Sequence, residues 1–327
     1  MLHPVQLDGK VRLLTWLLRW SSKPANEMTL QEIEQQSQTP ISPIVARIML
    51  GQSLPMQKIT DVVTAGRHGD IPLKLYYPRQ QSALGVIVFF HGGGWIGGNF
   101  QTHDAMCRRL AHQSGVAVIA VGYRLAPRYP FAIALEDGYD TLQWVVQQAA
   151  SLGVDANSLI VIGDSAGGNL AAALCLMAKD AQKPNIRGQV LLYPITDGTL
   201  SQPSVKQYAN GPYLTKAQLK RFVQDYARTP NDIYHPYFSP LLATNLTQLP
   251  PALIITGQYD PLHDEGQAYA ERLRLAGNQV QFTDYMGMIH GFLSFPGFCH
   301  GAKPAFAEIA AFIDSLFKEP SVTQWSS

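Results

Sequence analysis

Cysteine is scarce in this chain: Cys107, Cys175 and Cys299 are three residues in all, far apart and odd in number. With no Cys-x-x-Cys pair and no metal-ligand spacing, that excludes a disulfide framework and a cysteine-held metal. Cys107 and Cys175 sit in apolar surroundings and are expected to be buried thiols, which fits a reducing, cytoplasmic setting. An excess of charge of either sign is missing too, with 25 basic against 24 acidic residues and only 15% charged overall. Without a basic face, nucleic acid is not expected as a partner. No apolar run approaches the roughly 18 residues needed to cross a bilayer. There is neither a Walker lysine nor a Gly-x-Gly-x-x-Gly spacing, which argues against a nucleotide. Internal repeats and low-complexity tracts are absent as well.

What is present is a chain of 327 residues, 46% of them hydrophobic, as in a soluble globular protein. The segment Val11–Trp20 has an apolar centre flanked by Arg12 and Arg19, with no clean small-x-small site after it. It reads as an amphipathic helix packed on the protein rather than a signal peptide, and no stable membrane association is expected. Strands are predicted at 59–64, 71–77, 86–90, 116–121, 158–162, 190–193, 252–256 and 280–283. Helices are expected at about 103–113, 132–149, from 166 onward, and at 304–317. This alternation predicts an α/β fold with a mostly parallel eight-stranded sheet covered on both faces. Residues 1–55 form an N-terminal segment, 56–198 and 248–327 the core, and 199–247, rich in proline and tyrosine, an insertion.

Chemistry concentrates at Gly163-Asp164-Ser165-Ala166-Gly167-Gly168, between the apolar strand 158–162 and an Ala- and Leu-rich helix. Gly-x-Ser-x-Gly in that setting is a nucleophile elbow: the turn is too tight for β-carbons, and it projects the serine at a helix N-terminus. A serine hydroxyl needs a base, and the base needs an orienting acid. Among the four histidines that follow, His290 comes just after the last strand, in a loop expected over 285–292. His263 begins a helix and suits capping, His235 belongs to the insertion, and His300 has no supporting context. Asp260 follows the strand 252–256 and is the preferred acid over Asp284; Asp264 and Glu265 look like first-turn helix acids. For an oxyanion, His91-Gly92-Gly93-Gly94-Trp95 after the strand 86–90 offers unobstructed amides, and Ala166 a further one.

Taken together, His91-Gly92-Gly93-Gly94-Trp95, Tyr123-Arg124-Leu125-Ala126-Pro127, Gly163–Asn169, Asp260-Pro261-Leu262-x-Asp264-Glu265-Gly266 and His290-Gly291-Phe292 resemble the hormone-sensitive-lipase-like esterases of the α/β-hydrolase superfamily. The resemblance covers roughly residues 60–317; at Arg128 the chain departs from the glutamate that the family often carries. It implies the α/β-hydrolase fold with a helical cap made of residues 1–55 and 199–247. It implies a serine carboxylesterase for short- to medium-chain acyl esters that works through an acyl-enzyme without metal or cofactor. Ser165, Asp260 and His290 would form the triad; Gly93, Gly94, Ala166 and Gly92 the oxyanion hole; His91 would support the loop. Trp95, Trp16, Tyr208, Tyr213 and Phe222 are candidates for lining the pocket, as are Trp20 and Tyr237. The expected partner is a small-molecule ester, and an edge strand near 279–284 would allow a homodimer. An amidase or peptidase is the rival within hydrolases. A receptor on the same fold is the rival outside enzymes, disfavoured because all three triad residues are present.

Overall fold

The computed structural model describes residues 7–21, 23–80 and 85–318; residues 1–6 of the predicted N-terminal segment and 319–327 of the core portion lie outside it. Three helices come first: α1 (Gly9–Ser21), α2 (Leu30–Gln38) and α3 (Pro43–Leu50), with a 3-10 turn at Ala25–Glu27. Then follow β1 (Lys58–Gly66), β2 (Gly69–Tyr77), β3 (Val86–Phe90), α4 (Phe100–Ser114), β4 (Ala117–Val121), α5 (Ile133–Leu152), β5 (Leu159–Asp164), α6 (Ala166–Asp180) and β6 (Gly188–Leu192). The segment between β6 and the next strand carries α7 (Pro203–Gln207) and α8 (Lys216–Tyr226) with two 3-10 turns. The chain closes with β7 (Ala252–Tyr259), α9 (His263–Leu275), β8 (Val280–Ile289) and α10 (Ala302–Lys318).

The eight strands form one sheet in the order β1-β2-β4-β3-β5-β6-β7-β8. The β1–β2 hairpin and the β2–β4 pair are antiparallel, and every other neighbour is parallel. Buried parallel strands need apolar residues on both faces, and β3, β4, β5 and β6 are buried at every position. Alternation sends Val86, Val88 and Phe90 into a cluster with α5, α6 and α9, while Ile87 and Phe89 join α1, α4 and α10 on the other face. All three cysteines are buried.

Two of the boundaries that differ from the sequence expectation have plain local reasons. Helix α4 starts at Phe100 rather than near His103, because Asn99 caps it by accepting from the amides of Gln101 and Thr102 at 2.9 and 3.0 Å. Strand β8 continues to Ile289, so the loop expected over 285–292 is mostly strand; its last pair is Tyr259 with Ile289, after an irregularity at Gly257.

The order β4-β3-β5 contains the site's cause. The chain leaves β3 toward β4 on one side and returns to β5 on the other, opening a crevice beyond the carboxyl ends of β3 and β5. Phe90 pairs with Gly163, so whatever follows β3 lies beside whatever follows β5. In the same way, the pairing of Tyr259 with Ile289 puts residue 260 beside residue 290.

Candidate active site

Ser165 stands between β5 and α6 with φ +55° and ψ −117°, a backbone conformation that a non-glycine residue holds only when its surroundings enforce it. Its amide donates to the Leu192 carbonyl at 2.8 Å, and its carbonyl accepts from Asn169 at 3.0 Å. The flanking glycines are required by contact: a β-carbon on Gly163 would fall 2.1 Å from the Gly167 carbonyl oxygen, and one on Gly167 would fall 2.0 Å from that of Phe90. The helix N-terminus behind Ser165 directs free amides toward the same space.

His290 follows β8 and is almost fully buried; Asp260 follows β7 and is completely so. His290 Nε2 is 3.0 Å from Ser165 Oγ, and Nδ1 is 2.7 Å from Asp260 Oδ2. A carboxylate only accepts, so the imidazole proton resides on Nδ1 and leaves Nε2 able to accept from the serine. Asp260 also takes the Leu262 amide at 2.8 Å, which fixes the carboxylate's orientation. Sequence offered no signal for Tyr193, whose buried ring lies edge-on to His290 with centroids 4.9 Å apart. Asp284, the rival acid, pairs instead with His263 at 3.4 Å.

The glycine loop after β3 is held by a network of buried polar groups. Gly92 N–H donates to Asp164 Oδ1 at 2.8 Å, and His103 approaches the same carboxylate at 3.3 Å. Burial would raise the Asp164 carboxyl, but His103 and the Gly92 amide together bring it below its ordinary value. The Tyr123 hydroxyl donates to the His91 carbonyl at 2.6 Å, and the two rings stack at 4.3 Å. Burial, with His103 nearby, pushes His91 down to about 4, so it is neutral at physiological pH. Gly92 therefore departs from the expectation: its amide is committed to Asp164 and is not a free donor. Gly93 and Gly94 have positive φ, +125° and +62°, and their amides have no acceptor among the described residues.

The aromatic candidates separate into three groups. Phe222 of α8 lies directly on the glycine loop, since a β-carbon on Gly94 would fall 2.4 Å from its ring. Tyr213 lies against Gly291, the residue after His290, at 3.2 Å by the same measure. Tyr208 packs on Tyr259, next to the acid, with centroids 5.9 Å apart. Trp95, by contrast, is fully buried; it stacks on Tyr226 at 4.4 Å and meets the tilted ring of Phe238 at 5.7 Å, which makes it a structural joint between loop and insertion. Trp16 and Trp20 are exposed on α1, and Tyr237 donates to Asp180 at 2.7 Å on the surface.

Residues 87–294 match a protein family described as alpha/beta hydrolase fold. The chain belongs to this α/β-hydrolase family. Its relatives include the ethyl acetate hydrolase of Pseudomonas putida, 43% identical over 241 residues, covering 72% of this chain and 76% of that protein. The arylesterase of Saccharolobus solfataricus is 34% identical over 290 residues, 88% of this chain and 91% of that one. Among solved structures, the hyperthermophilic esterase from Pyrobaculum calidifontis superposes with a TM-score of 0.88 at 37% identity, covering 96% of this chain and all of that chain.

In this α/β-hydrolase the acid loop is also tied to the insertion, a link the sequence did not reveal. Glu265 lies in the first turn of α9 as expected, but it is completely buried and accepts from the amides of Thr196 at 2.7 Å and Asp197 at 3.2 Å. Burial pushes its carboxyl well up, against the pull of those amides. Ser204 of α7 donates through Oγ to the Pro261 carbonyl at 2.7 Å and through its amide to Asp264 at 2.8 Å. These partners lie about sixty residues apart in sequence, beyond the reach of any local pattern.

Proposed function

We propose that the protein is a serine carboxylesterase that hydrolyses short- to medium-chain acyl esters through an acyl-enzyme. The observation that carries this reading is the unbroken run Ser165 Oγ–His290–Asp260, at 3.0 and 2.7 Å, facing a glycine loop at one sheet edge. The names of its relatives, ethyl acetate hydrolase and arylesterase, support an ester substrate. His290 takes the serine proton through Nε2 as Oγ attacks the ester carbonyl, and Asp260 stabilises the imidazolium that forms. The resulting oxyanion is met by the amides of Gly93, Gly94 and Ala166, the last at the N-terminus of α6. As the tetrahedral species collapses, His290 returns its proton to the departing alcohol. Water then enters by the same base and releases the acid.

The insertion 199–247 and the N-terminal segment act as a cap over this chemistry. Phe222 on the oxyanion side and Tyr213 beside His290 bound the space that the ester enters, so they set the acyl and alcohol sizes accepted.

The deciding experiment is hydrolysis of nitrophenyl esters from acetyl to palmitoyl by the wild type and Ser165→Ala, with organophosphate labelling followed by mass. Turnover that peaks at short chains, is lost at least ~10⁴-fold in the variant, and is matched by one phosphonyl group on Ser165 is the expected result. A folded wild type that turns over none of these esters, or a variant that retains full rate, overturns the reading.

A further inference from the structure

Helix α1 has two apolar sides, and only one of them is covered. Val11 and Leu14 are completely buried in the cluster that α1 shares with α4 and α10. Roughly opposite, Leu13, Trp16, Leu17 and Trp20 are exposed by 50%, 56%, 42% and 79%. Their spacing by three and four residues puts them on one stripe, with the Trp16 and Trp20 rings 6.2 Å apart. At about 100° per residue, Lys10 and Arg12 border the stripe on opposite sides, and both are exposed. Single apolar residues on a surface need no explanation, but a stripe in register that includes two tryptophans does.

We propose that this face of α1 is a docking surface for an anionic phospholipid membrane. Helix α1 contains no Asp or Glu, and its charged residues are Lys10, Arg12 and Arg19. A second copy lying antiparallel on it would therefore meet cations with cations, whereas lipid phosphates complement them. Lysine and arginine lay their methylene stems along an apolar surface while their charged heads reach phosphate level. Tryptophan favours the headgroup boundary, where its ring is apolar and its N–H remains wet. No helix among the described residues is long and apolar enough to cross a membrane, so α1 lies in the interface plane and binding is reversible. Soon after α1 ends at Ser21, the turn Ala25–Glu27 packs on α8, the helix that sets Phe222 on the glycine loop.

The test is co-sedimentation of the full chain with vesicles of phosphatidylcholine alone or mixed equally with phosphatidylglycerol, with tryptophan emission recorded in parallel. The wild type should partition onto the mixed vesicles with a blue shift. Leu13→Ser/Leu17→Ser should lower the partition coefficient about tenfold or more, with nitrophenyl acetate hydrolysis and circular dichroism unchanged. Lys10→Glu/Arg12→Glu should abolish the preference for mixed vesicles. Wild type that stays in the supernatant, or a leucine variant that binds as well as wild type, overturns the proposal. So does a dimer that the leucine variant dissociates and that ignores vesicles, since a second copy then covers the stripe. Sedimentation does not require turnover, so this outcome is independent of the esterase reading.

Discussion

The two walls of the site are built differently. On the sheet side, each polar group sits at the end of a strand and is held by short hydrogen bonds: Ser165 after β5, Asp260 after β7, His290 after β8, and Gly92 tied to Asp164. On the insertion side, the contacts are rings: Phe222 on Gly94, Tyr213 against Gly291, and Trp95 clustered with Tyr226 and Phe238. Strand pairing fixes positions to fractions of an ångström because every backbone amide in a ladder is committed. Ring packing fixes volume and tolerates a changed outline at modest cost. The first wall is suited to set rate, the second to set which substrate fits.

This contrast is broken most severely on the sheet side. Asp260→Asn keeps the side-chain shape but allows His290 the wrong tautomer; kcat should fall about 10⁴-fold, with an unchanged far-ultraviolet spectrum. Asp164→Ala leaves the Gly92 amide and His103 without their buried partner. If Asp164 aligns the glycine loop, steady-state kinetics will show kcat down about 10²-fold with KM nearly constant. A fall in KM-limited binding alone would instead make Asp164 a purely structural residue.

The insertion side should respond in kind rather than in rate. Phe222→Ala removes the ring from the glycine loop, and the preferred acyl chain in the nitrophenyl series should lengthen, with about tenfold gain of long over short esters. An unchanged chain-length profile would mean that the ring is not a pocket wall. The smallest effect lies outside both walls, at His263. The carboxylate of Asp284 at 3.4 Å, with Asp264 at 2.8 Å, raises its pKa to about 9. A raised folded pKa stabilises below the unfolded value near 6.5, and that contribution disappears as pH rises through about 9. Thermal melts of His263→Gln should lie a few degrees under wild type at pH 6 and converge with it by pH 10.

Legibility in the sequence follows the same division. The strands, the elbow, the glycine loop and the residues that the fold brings to His290 and Asp260 could be read because each depends on local pattern: continuous apolar runs, glycines at contact positions, a helix former after a serine. The end of β8 could not, since Met286-Gly287-Met288 carries a glycine at φ +75° and resembles a loop until Tyr259 pairs with Ile289. Gly92 was indistinguishable from Gly93 and Gly94 until Asp164 claimed its amide. Glu265 is the first-turn helix acid that its position implies, but its burial is invisible because its amide partners, Thr196 and Asp197, lie in another part of the chain. Trp95 and Trp16 were equal as aromatics, yet one is completely buried and the other more than half exposed. Residue type alone does not say which contact a ring will find.

The insertion leaves the sheet after β6 and rejoins it at β7, and these two strands are hydrogen-bonded neighbours, with Gln189 opposite Ala252. Because the two strands run parallel, the chain must return from the carboxyl end of β6 to the amino end of β7, and the insertion is carried on that crossover. A crossover segment lies outside the ladder: it can be lengthened, shortened or exchanged for a relative's without changing the pairing of any strand in the sheet. What must travel with it is a short set of fasteners. Trp95 needs its Tyr226 and Phe238, Asn169 donates to the Phe238 carbonyl at 2.8 Å, and Pro261 and Asp264 accept from Ser204 at 2.7 and 2.8 Å. A graft that preserves those joints leaves the sheet edge that carries Ser165, Asp260 and His290 as it stands.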